Sequence, residues 1–332
     1  MEPVRWGVLG CARVFERRMV PGFRAANDAA TLLAVASRSR EKAESTTDKH
    51  QISRAYDSYE KLLADPDIEA VYIPLPNDQH CAWTLRALEA GKHVLCDKPA
   101  ALTYGDARRM AEAAEQSNRR LAEGFMWRLH PQHARVQAIL QSGELGAVSH
   151  CRAQFTYSAA PDPGNIRYQP ERGGGAFLDT GVYPVNAARF FWGEPEAVFA
   201  ASTWDASGVD RQTSVLLHWA DGRTASLLCG FDLAFASRFE FCGDRGGLVA
   251  ERAFQVGENG VPLRVCVGED ARTEHFPHVD QYGLEIAHFS RCVRDEDAPL
   301  APLENGLTQA RVVEAVIRSA RENRRVTLRE IE

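Results

Sequence analysis

The chain has 332 residues, which is long enough for two domains of ordinary size. Hydrophobic residues make up 45% of it and charged residues 25%, a composition typical of globular proteins that build real cores. The formal net charge is −6 and the basic residues are scattered, which argues against nucleic acid or an anionic membrane as the main partner. No stretch of the sequence approaches the roughly 18 consecutive apolar residues of a membrane span.

Cysteine and histidine usage bears on compartment and metal binding. The eight cysteines are spread singly, without a CxxC pair, which favours reduced thiols in a cytoplasmic protein. The pairs His130/His133 and His275/His278 have no cysteine or carboxylate at ligand spacing, so we expect structural histidines and no metal site. Charges flank the short apolar run at the start of the chain, so no signal peptide is expected.

The first third of the chain alternates short apolar runs with helical patterns. We expect strands at 4–9, 32–36, 68–73, 93–96 and 121–125. We expect helices at 21–27, 40–50, 59–64, 78–90 and 103–117. Strands that alternate with helices predict a parallel sheet with right-handed crossovers.

The pattern changes after about residue 125. Period-two alternation predicts strands at 147–156, 197–202, 213–219, 224–231, 238–242, 247–250 and 263–267. Helical spacing predicts helices at 132–142, 176–192, 282–294 and 306–323. The expected fold class is therefore α/β, with a parallel-sheet domain at 1–125. An α+β domain with a large, mostly antiparallel open sheet is expected at 126–332.

A turn of small residues follows the first strand, in Gly7-Val-Leu-Gly10-Cys-Ala12. Small residues let backbone N–H groups approach a pyrophosphate at the start of a helix, as in a Rossmann dinucleotide-binding domain. Ala12 stands where the usual pattern has glycine, so an ordinary strand-to-helix turn is the alternative. The expected cofactor contacts in this turn are Gly10, Cys11, Ala12, Arg13 and Val14.

The end of the second strand bears on the choice of cofactor. An NAD site usually places Asp or Glu there, and an NADP site uses Arg instead. The chain reads Ala36-Ser37-Arg38-Ser39-Arg40, with no carboxylate before Glu41. Ser37 can donate to a 2′-phosphate, and Arg38 can stack on adenine while pairing with that charge. We therefore expect NADP (NADPH) to be preferred over NAD.

The third strand ends in Pro74-Leu-Pro76-Asn77, a rigid apolar turn suited to a flat ring system. Asn77 and His80 could reach the cofactor ribose or amide. The expected cofactor contacts in this segment are Leu75, Pro76, Asn77 and His80. The alternative is a plain turn followed by a helix cap.

The apolar run 91–96 ends in Cys96-Asp97-Lys98-Pro99. A strand that ends in a lysine followed by a proline directs an ammonium group beyond the sheet edge where ligands bind. We expect Lys98 to be catalytic and, with Asp97, to lie at the cofactor. The alternative is a surface lysine in an ordinary turn.

A glycine-rich segment, 171–183, leads into a helix that carries Asp179 and Tyr183 four residues apart, on one face. An acidic and a phenolic group that face the same way suit hydroxyl or carbonyl chemistry. The alternative is a carboxylate favoured by the helix dipole beside a half-buried tyrosine. Trp127 and Arg128 lie where the first domain passes to the second, a common pocket position, although packing explains Trp127 equally well.

The chain resembles the Gfo/Idh/MocA oxidoreductases, which depend on nicotinamide cofactors. The resemblance runs through Gly10-Cys-Ala-Arg13, Ser37-Arg38, Pro74-Leu-Pro76, Ala90-Gly-Lys-His-Val-Leu-Cys-Asp-Lys-Pro99, Phe125-Met-Trp-Arg128, His130-Pro-Gln132, Asn165-Ile-Arg167 and 173–183. Two departures are Asp97 for the common glutamate and Tyr183 for the common histidine. The tyrosine resembles the branch of glucose–fructose oxidoreductase, dimeric dihydrodiol dehydrogenase and D-xylose dehydrogenase. Nucleotide-sugar 3-ketoreductases are also similar.

The resemblance implies roles for the residues of the site. Lys98 and Tyr183 should flank the reacting C–O group, with Asp179 binding a neighbouring hydroxyl or orienting Lys98. A free tyrosine, with a pKa of about 10, is a poor base near neutrality, and a nearby ammonium favours its phenolate. Arg167 is expected to contact the cofactor or a substrate oxygen. The full set of expected substrate contacts is Lys98, Trp127, Arg128, Arg167, Asp179 and Tyr183.

Three functions remain open at the level of the sequence. The first is an NADP-dependent oxidoreductase of an aldose or related pyranose. The second is an NADPH-dependent 3-ketoreductase of a nucleotide-linked deoxysugar, and the third is a non-catalytic NADP-binding regulatory protein. A homodimer or homotetramer assembled through the C-terminal sheet is expected in each case.

Overall fold

The computed structural model describes residues 2–162, 164–295 and 303–332, without the side chains of 303–305. It divides into two compact units, Met1–Met126 with Asp280–Leu307, and Trp127–Val279 with Thr308–Glu332. The first boundary lies one residue from the expected division at 125/126. The assignment of all of 126–332 to the second domain needs a correction, because 280–307 belongs to the first unit.

The first unit is built on a parallel sheet, with six strands in the part of the chain that the structure describes. The strands are β1 (Val4–Leu9), β2 (Ala30–Ala36), β3 (Arg54–Tyr56), β4 (Ala70–Ile73), β5 (His93–Asp97) and β6 (Leu121–Gly124). Their order is β3-β2-β1-β4-β5-β6, the doubly wound order of a Rossmann domain. The helices between them are α1 (Val20–Ala25), α2 (Arg40–His50), α3 (Tyr59–Leu63), α4 (Asn77–Glu89) and α5 (Tyr104–Ser117). A π-helical turn, Phe15–Met19, precedes α1.

The second unit is built on a sheet of nine strands, counted over the described residues. The strands are β7 (Val148–Ser158), β8 (Ala197–Trp204), β9 (Asp210–His218), β10 (Thr224–Gly230), β11 (Asp232–Gly243), β12 (Gly246–Glu251), β13 (Val261–Val267), β14 (Asp270–Phe276) and β15 (Val326–Thr327). Their order is β14-β13-β12-β11-β7-β10-β9-β8-β15. The β7–β10 pair is parallel and the other pairs are antiparallel. The α/β fold class, with a mostly antiparallel second sheet, is therefore confirmed.

The helices of the second unit include α6 (Pro131–Ser142) and α7 (Val182–Trp192), the latter preceded by a π-helical turn, Phe177–Gly181. The core of this unit is aromatic. Trp127 is completely buried, and its ring packs edge-to-face against Phe190 and Phe254 at centroid distances of 5.5 and 5.6 Å. Aromatic pairs at such distances add to the stabilisation from their buried area.

The segment 280–307 returns to the first unit through α8 (Gln281–Val293). The indole N–H of Trp6, at the centre of β1, donates to the Ser290 hydroxyl at 3.0 Å in a buried contact. The Trp6 ring also packs against Phe289 at a centroid distance of 5.3 Å. At the end of α8, Arg294 forms an ion pair with Glu69 at 2.8 Å. The last long helix, α9, covers Leu303–Glu322.

Three strands of the structure, β3, β14 and β15, are missed by the sequence pattern. All three lie at sheet edges. The residues of β14 are mostly exposed, so they need no alternation of apolar and polar side chains. The edge strand β6 is mostly buried and is predicted, so exposure in β3 and β14 and the two-residue length of β15 explain why these three are missed.

The described residues also bear on membranes, metals and disulfides. None of their helices is both long and apolar enough to span a membrane. Within 2–162, 164–295 and 303–332, no group of three or more His, Cys, Asp or Glu side chains could hold a metal ion. All eight cysteines are free thiols.

Candidate active site

A cleft of about 400 Å³ opens at the carboxyl ends of β1, β2 and β4. The strand order reverses between β1 and β4, and ligands of open α/β sheets bind at such a point. Its lining residues are Gly10, Cys11, Ala12, Ser37, Arg38, Ser39, Lys42, Tyr59, Pro74, Leu75 and Pro76. The cleft thus brings together seven of the fourteen residues that the sequence predicts as cofactor contacts.

The turn after β1 has a backbone conformation and a close contact with Leu75 that favour glycine at residue 10. Gly10 has φ +112°, and a Cβ there would lie 3.0 Å from a methyl carbon of Leu75. Its N–H donates to the Ala36 carbonyl at 2.8 Å, which fixes the turn beside the end of β2. Arg13 is exposed and Val14 half-buried in the first helical turn that follows. A small turn that leads into a helix start fits a dinucleotide pyrophosphate.

The end of β2 makes one wall of the cleft polar and basic. Arg38 is exposed at the cleft, and the buried hydroxyl of Ser37 accepts from the Ser39 N–H at 3.2 Å. Ser39 caps α2, where its hydroxyl accepts from the N–H of Lys42 at 3.3 Å. Burial raises the pKa of Tyr59, which also lines the cleft, and the neighbouring Arg38 partly offsets that rise. This wall carries two cationic side chains and a helix N-terminus, a combination that attracts a phosphate.

His80 corrects one expected cofactor contact. The side chain is completely buried, with Nε2 at 2.7 Å from the Leu75 carbonyl oxygen and Nδ1 at 2.8 Å from the Pro99 carbonyl oxygen. Both ring nitrogens therefore face backbone atoms, and neither is exposed to a cofactor. Asn77, which begins α4 after the cap Pro76, is half-buried and stays a predicted contact.

The turn that carries Lys98 is held from two sides. The Lys98 N–H donates to Asp97 Oδ1 at 2.9 Å, and the Ala100 N–H donates to Glu123 Oε1 at 3.0 Å. The peptide bond between Lys98 and Pro99 is cis. Lys98 itself is half-buried and follows β5, beside the Leu75 turn that follows β4. The lysine therefore lies at the same sheet edge as the cleft, as the sequence predicts.

Asp179, in the second unit, is engaged by two donors. The Tyr157 hydroxyl and the Arg167 Nε each donate to Asp179 Oδ2 at 2.8 Å. Burial, with Asp179 beside it, raises the pKa of Tyr157 well above its ordinary value. Tyr157, on β7, is not predicted from the sequence, because a tyrosine in an alternating strand resembles any half-buried residue.

Tyr183 is buried (6% exposed) in the same unit and packs on the same strand as Asp179. Its ring contacts Phe155 at a centroid distance of 5.2 Å and Phe254 at 5.7 Å. Phe155 and Tyr157 lie two residues apart on β7 and so point to one face of the sheet. Asp179, through Tyr157, and Tyr183, through Phe155, therefore both lie against the same face of β7.

The glycine-rich segment before Asp179 is packed against a buried carboxylate. The Asp210 side chain accepts from the Phe177 N–H at 2.8 Å, and burial raises the pKa of Asp210. Gly175 has φ +116°, and a Cβ there would lie 2.2 Å from Asp210 Oδ1. The Gly175 N–H donates to the Arg167 carbonyl at 2.8 Å. Gly175 and Asp210 therefore hold the start of the helix next to the loop that carries Arg167.

Trp127 and Arg128 need correction as substrate contacts. Trp127 is completely buried in the aromatic core, where its indole N–H donates to Asn186 Oδ1 at 3.2 Å. Arg128 is 5% exposed and its Nε donates to the same oxygen at 2.8 Å. Both residues pack the second unit, the role that the sequence leaves open for Trp127. The neighbouring His130 and His133 are buried too, and burial lowers their pKa values to about 4 and about 3.

Comparison with known proteins places the chain in a family. Residues 4–125 match the family model described as "Oxidoreductase family, NAD-binding Rossmann fold". Residues 133–249 match the GFO/IDH/MocA C-terminal domain. The chain belongs to the GFO/IDH/MocA oxidoreductases. The resemblance, the α/β fold and the assignment as an enzyme are confirmed, and the first unit is an NAD(P)-binding Rossmann domain.

Relatives within the GFO/IDH/MocA family act on sugars of different kinds. A dTDP-3,4-didehydro-2,6-dideoxy-α-D-glucose 3-reductase of Saccharopolyspora spinosa is 39% identical, over 95% of this chain and 97% of its own. An NADP(+) D-xylose 1-dehydrogenase of Haloferax volcanii is 34% identical, over 95% of this chain and 97% of its own. The structure of a 3-ketoreductase from Actinomadura kijaniata, in complex with NADP and TDP-benzene, matches with a TM-score of 0.90. Its sequence is 35% identical, and the match covers 96% of this chain and 98% of that one.

The Gly175–Asp210 contact leads to a prediction about stability. Gly175→Ala forces a Cβ into Asp210 and a side chain into an unfavourable backbone conformation. We expect the free energy of unfolding to fall by at least about 3 kcal/mol, from backbone strain and a displaced buried carboxylate. Denaturant unfolding, followed by tryptophan fluorescence, measures the change.

Gly143→Ala is the matched control. Gly143 caps α6 with φ +72°, and a Cβ there would have nothing within 4 Å, so the variant carries backbone strain alone. We expect it to cost about 1 kcal/mol. Equal losses for the two variants would contradict the packing role of Gly175.

Proposed function

We propose that the chain is an NADP-dependent oxidoreductase that transfers hydride between nicotinamide and a sugar hydroxyl or carbonyl. The wall of the cleft after β2 carries the proposal, because Ser37, Arg38, Ser39 and Lys42 stand where an NAD site places a carboxylate. Two cations, two hydroxyls and the N-terminus of α2 suit the 2′-phosphate of NADP. The chain belongs to a family of oxidoreductases with relatives that act on sugars, which supports a sugar as the substrate.

The cofactor-binding site is proposed residue by residue. Gly10, Cys11 and Ala12 line the cleft at the turn suited to the pyrophosphate, and Leu75 and Pro76 form its apolar wall. Asp97 ends β5 and Lys98 follows it at the same sheet edge, which supports their assignment to the nicotinamide end. When bound, NADP supplies or accepts the hydride.

We assign the proton to Tyr183 and the stabilisation of charge to Lys98. Reduction of a carbonyl needs a proton donor for the developing alkoxide, and a phenol is suited to that task. A lysine ammonium stabilises the same negative charge as it forms. In the direction of oxidation, the ammonium favours the phenolate form of Tyr183, which then takes the hydroxyl proton.

The Asp179–Arg167 ion pair bears on the class of substrate. Because Arg167 is already paired with a carboxylate at 2.8 Å, this part of the second unit presents balanced charge and several hydrogen-bonding groups. Balanced charge suits the hydroxyls of a free aldose or related pyranose better than a diphosphate. A nucleotide-linked ketosugar is the second candidate, favoured by the 3-reductases among the relatives.

Assembly and compartment are also proposed. Phe199 on β8 and Leu216 on β9 are register partners and are 41% and 44% exposed, so they form an apolar strip on the second sheet. We infer that this face is covered by a second copy of the chain, as a dimer or tetramer. The eight free thiols support a reducing compartment, the cytoplasm.

The cofactor assignment predicts a change of preference in Arg38→Asp. The variant removes a cation from the proposed phosphate site and adds a repulsive charge. We expect KM for NADPH to rise about 10- to 100-fold, and KM for NADH to change far less. Steady-state kinetics with each cofactor measure the effect.

Arg40→Gln is the control, since Arg40 lies two residues along the chain, outside the cleft lining, and pairs with Glu44. It should leave both KM values unchanged. Equal losses for NADPH and NADH in Arg38→Asp would remove the argument for NADP.

The proton-transfer assignment predicts that Lys98→Met and Tyr183→Phe each lower kcat at least about 100-fold. The reason is the loss of charge stabilisation in the first variant and of the proton donor in the second. Lys61→Met, which removes an exposed lysine on α3, is the matched control and should turn over normally. Near-normal kcat in either site variant would refute its assignment.

A substrate panel tests the proposed function itself. Free aldoses are offered with NADP, and a dTDP-linked 3-ketosugar is offered with NADPH, while the absorbance of reduced nicotinamide is recorded. We expect turnover of at least one free aldose. Turnover of the dTDP-linked sugar alone would establish the second candidate. NADPH binding by calorimetry without turnover of either class would overturn the enzymatic proposal.

A further inference from the structure

His80 is an enclosed imidazole that the proposed reaction does not use. It is the fourth residue of α4 and is completely buried. Nε2 lies 2.7 Å from the carbonyl oxygen of Leu75, and Nδ1 lies 2.8 Å from the carbonyl oxygen of Pro99. A ring with a backbone carbonyl at each nitrogen is held in one orientation from both sides.

The two carbonyls belong to the two turns that the proposed reaction depends on. Leu75 lines the nucleotide cleft, and Pro99 directly follows Lys98. The turns follow neighbouring strands, since β4 and β5 pair with Ile73 opposite Cys96. His80 therefore lies behind the sheet edge and bridges the cofactor turn and the lysine turn through its ring.

The hydrogen-bonding capacity of the ring fits a bridge. A neutral imidazole has one N–H and donates to one of the two carbonyls, while an imidazolium donates to both. Burial lowers the pKa of His80, and the two carbonyls and Asp97 oppose that shift. Only the imidazolium can donate to the Leu75 and Pro99 carbonyls at once, because the bare nitrogen of a neutral ring would face a carbonyl lone pair, so the bridge is complete in the charged form.

We propose that His80 is a positioning residue that sets the Leu75 turn and the Lys98 turn at one fixed spacing. The inference rests on the proposed function, because it needs NADP in the cleft and Lys98 at the reacting group. A shift of Pro99 moves Lys98 with it, since the two are adjacent in the chain. Misplacement of a catalytic group by about 1 Å can cost about 100-fold in rate.

Two substitutions separate the bridge from the mere filling of space. His80→Phe keeps a planar ring of similar size but has no N–H, so both carbonyls lose their contact. His80→Gln keeps an amide group that can donate to one or both carbonyls. Thermal unfolding of both variants shows how much folded protein each supplies. Rates are then expressed per folded, NADPH-binding site.

We expect His80→Phe to affect both ends of the bridge. The Kd for NADPH, measured by calorimetry without any sugar, should rise about tenfold. The single-turnover rate of hydride transfer with both ligands saturating should fall about 10- to 100-fold. His80→Gln should recover most of both losses. A purely structural role would lower the unfolding temperature and leave both values per folded site unchanged.

A double-mutant cycle with Lys98→Met tests whether His80 acts through the lysine. In the Lys98→Met background, His80→Phe should change the single-turnover rate less than about threefold, while its effect on the Kd for NADPH persists. Full additivity of the two rate losses would overturn the inference, as would a His80→Phe variant with normal Kd and rate. Failure of the proposed function is distinguishable, because the unsubstituted chain would then turn over no sugar. The Kd for NADPH would still show whether His80 holds the cofactor turn.

Discussion

The parallel pairing of β1 with both β2 and β4 decides where chemistry occurs in the first unit. All three strands end at one edge of the sheet, and the connections after β1 and β4 run in opposite directions, to β2 and to β5. The loops that follow therefore diverge and leave a cleft with backbone N–H groups and a helix start in its wall. The residues proposed to bind the cofactor are those that follow the strand ends, such as Arg38 after β2 and Leu75 after β4.

The extent to which each element is buried explains how much of the fold is predictable from the sequence. Interior strands such as β1 and β9 carry apolar residues wherever they face a core, so their pattern reveals them. The edge strands β3, β14 and β15 have one neighbour each and little buried surface, so no periodicity marks them. The return of α8 to the first unit depends on the Trp6–Ser290 contact across 284 residues of sequence. A local pattern holds no information about such a partner.

The residues of the candidate site also divide into those that the sequence predicts and those that it misassigns or misses. Gly10 and Arg38 line the cleft and Lys98 follows β5 at the same edge of the sheet, because a turn exposes whatever it contains, and their roles stay predictions. Trp127 and His80 are misassigned, since an aromatic or imidazole ring that suits a ligand also suits a core or two backbone carbonyls. Lys42 lies one turn after the helix cap Ser39, so its place at the cleft could be predicted from the sequence. Tyr157 is identified only by its contact with Asp179.

The contacts of Asp179 narrow the assignment of the proton-transfer groups. The Oδ2 atom of Asp179 is already engaged by two donors, the Tyr157 hydroxyl and the Arg167 guanidinium. Protonation of Asp179 would also break the ion pair that holds Arg167 in place. Asp179 therefore suits the orientation of Arg167 and of a sugar hydroxyl better than proton transfer. The phenol of Tyr183 and the ammonium of Lys98 are then the proposed carriers of the proton and of the compensating charge.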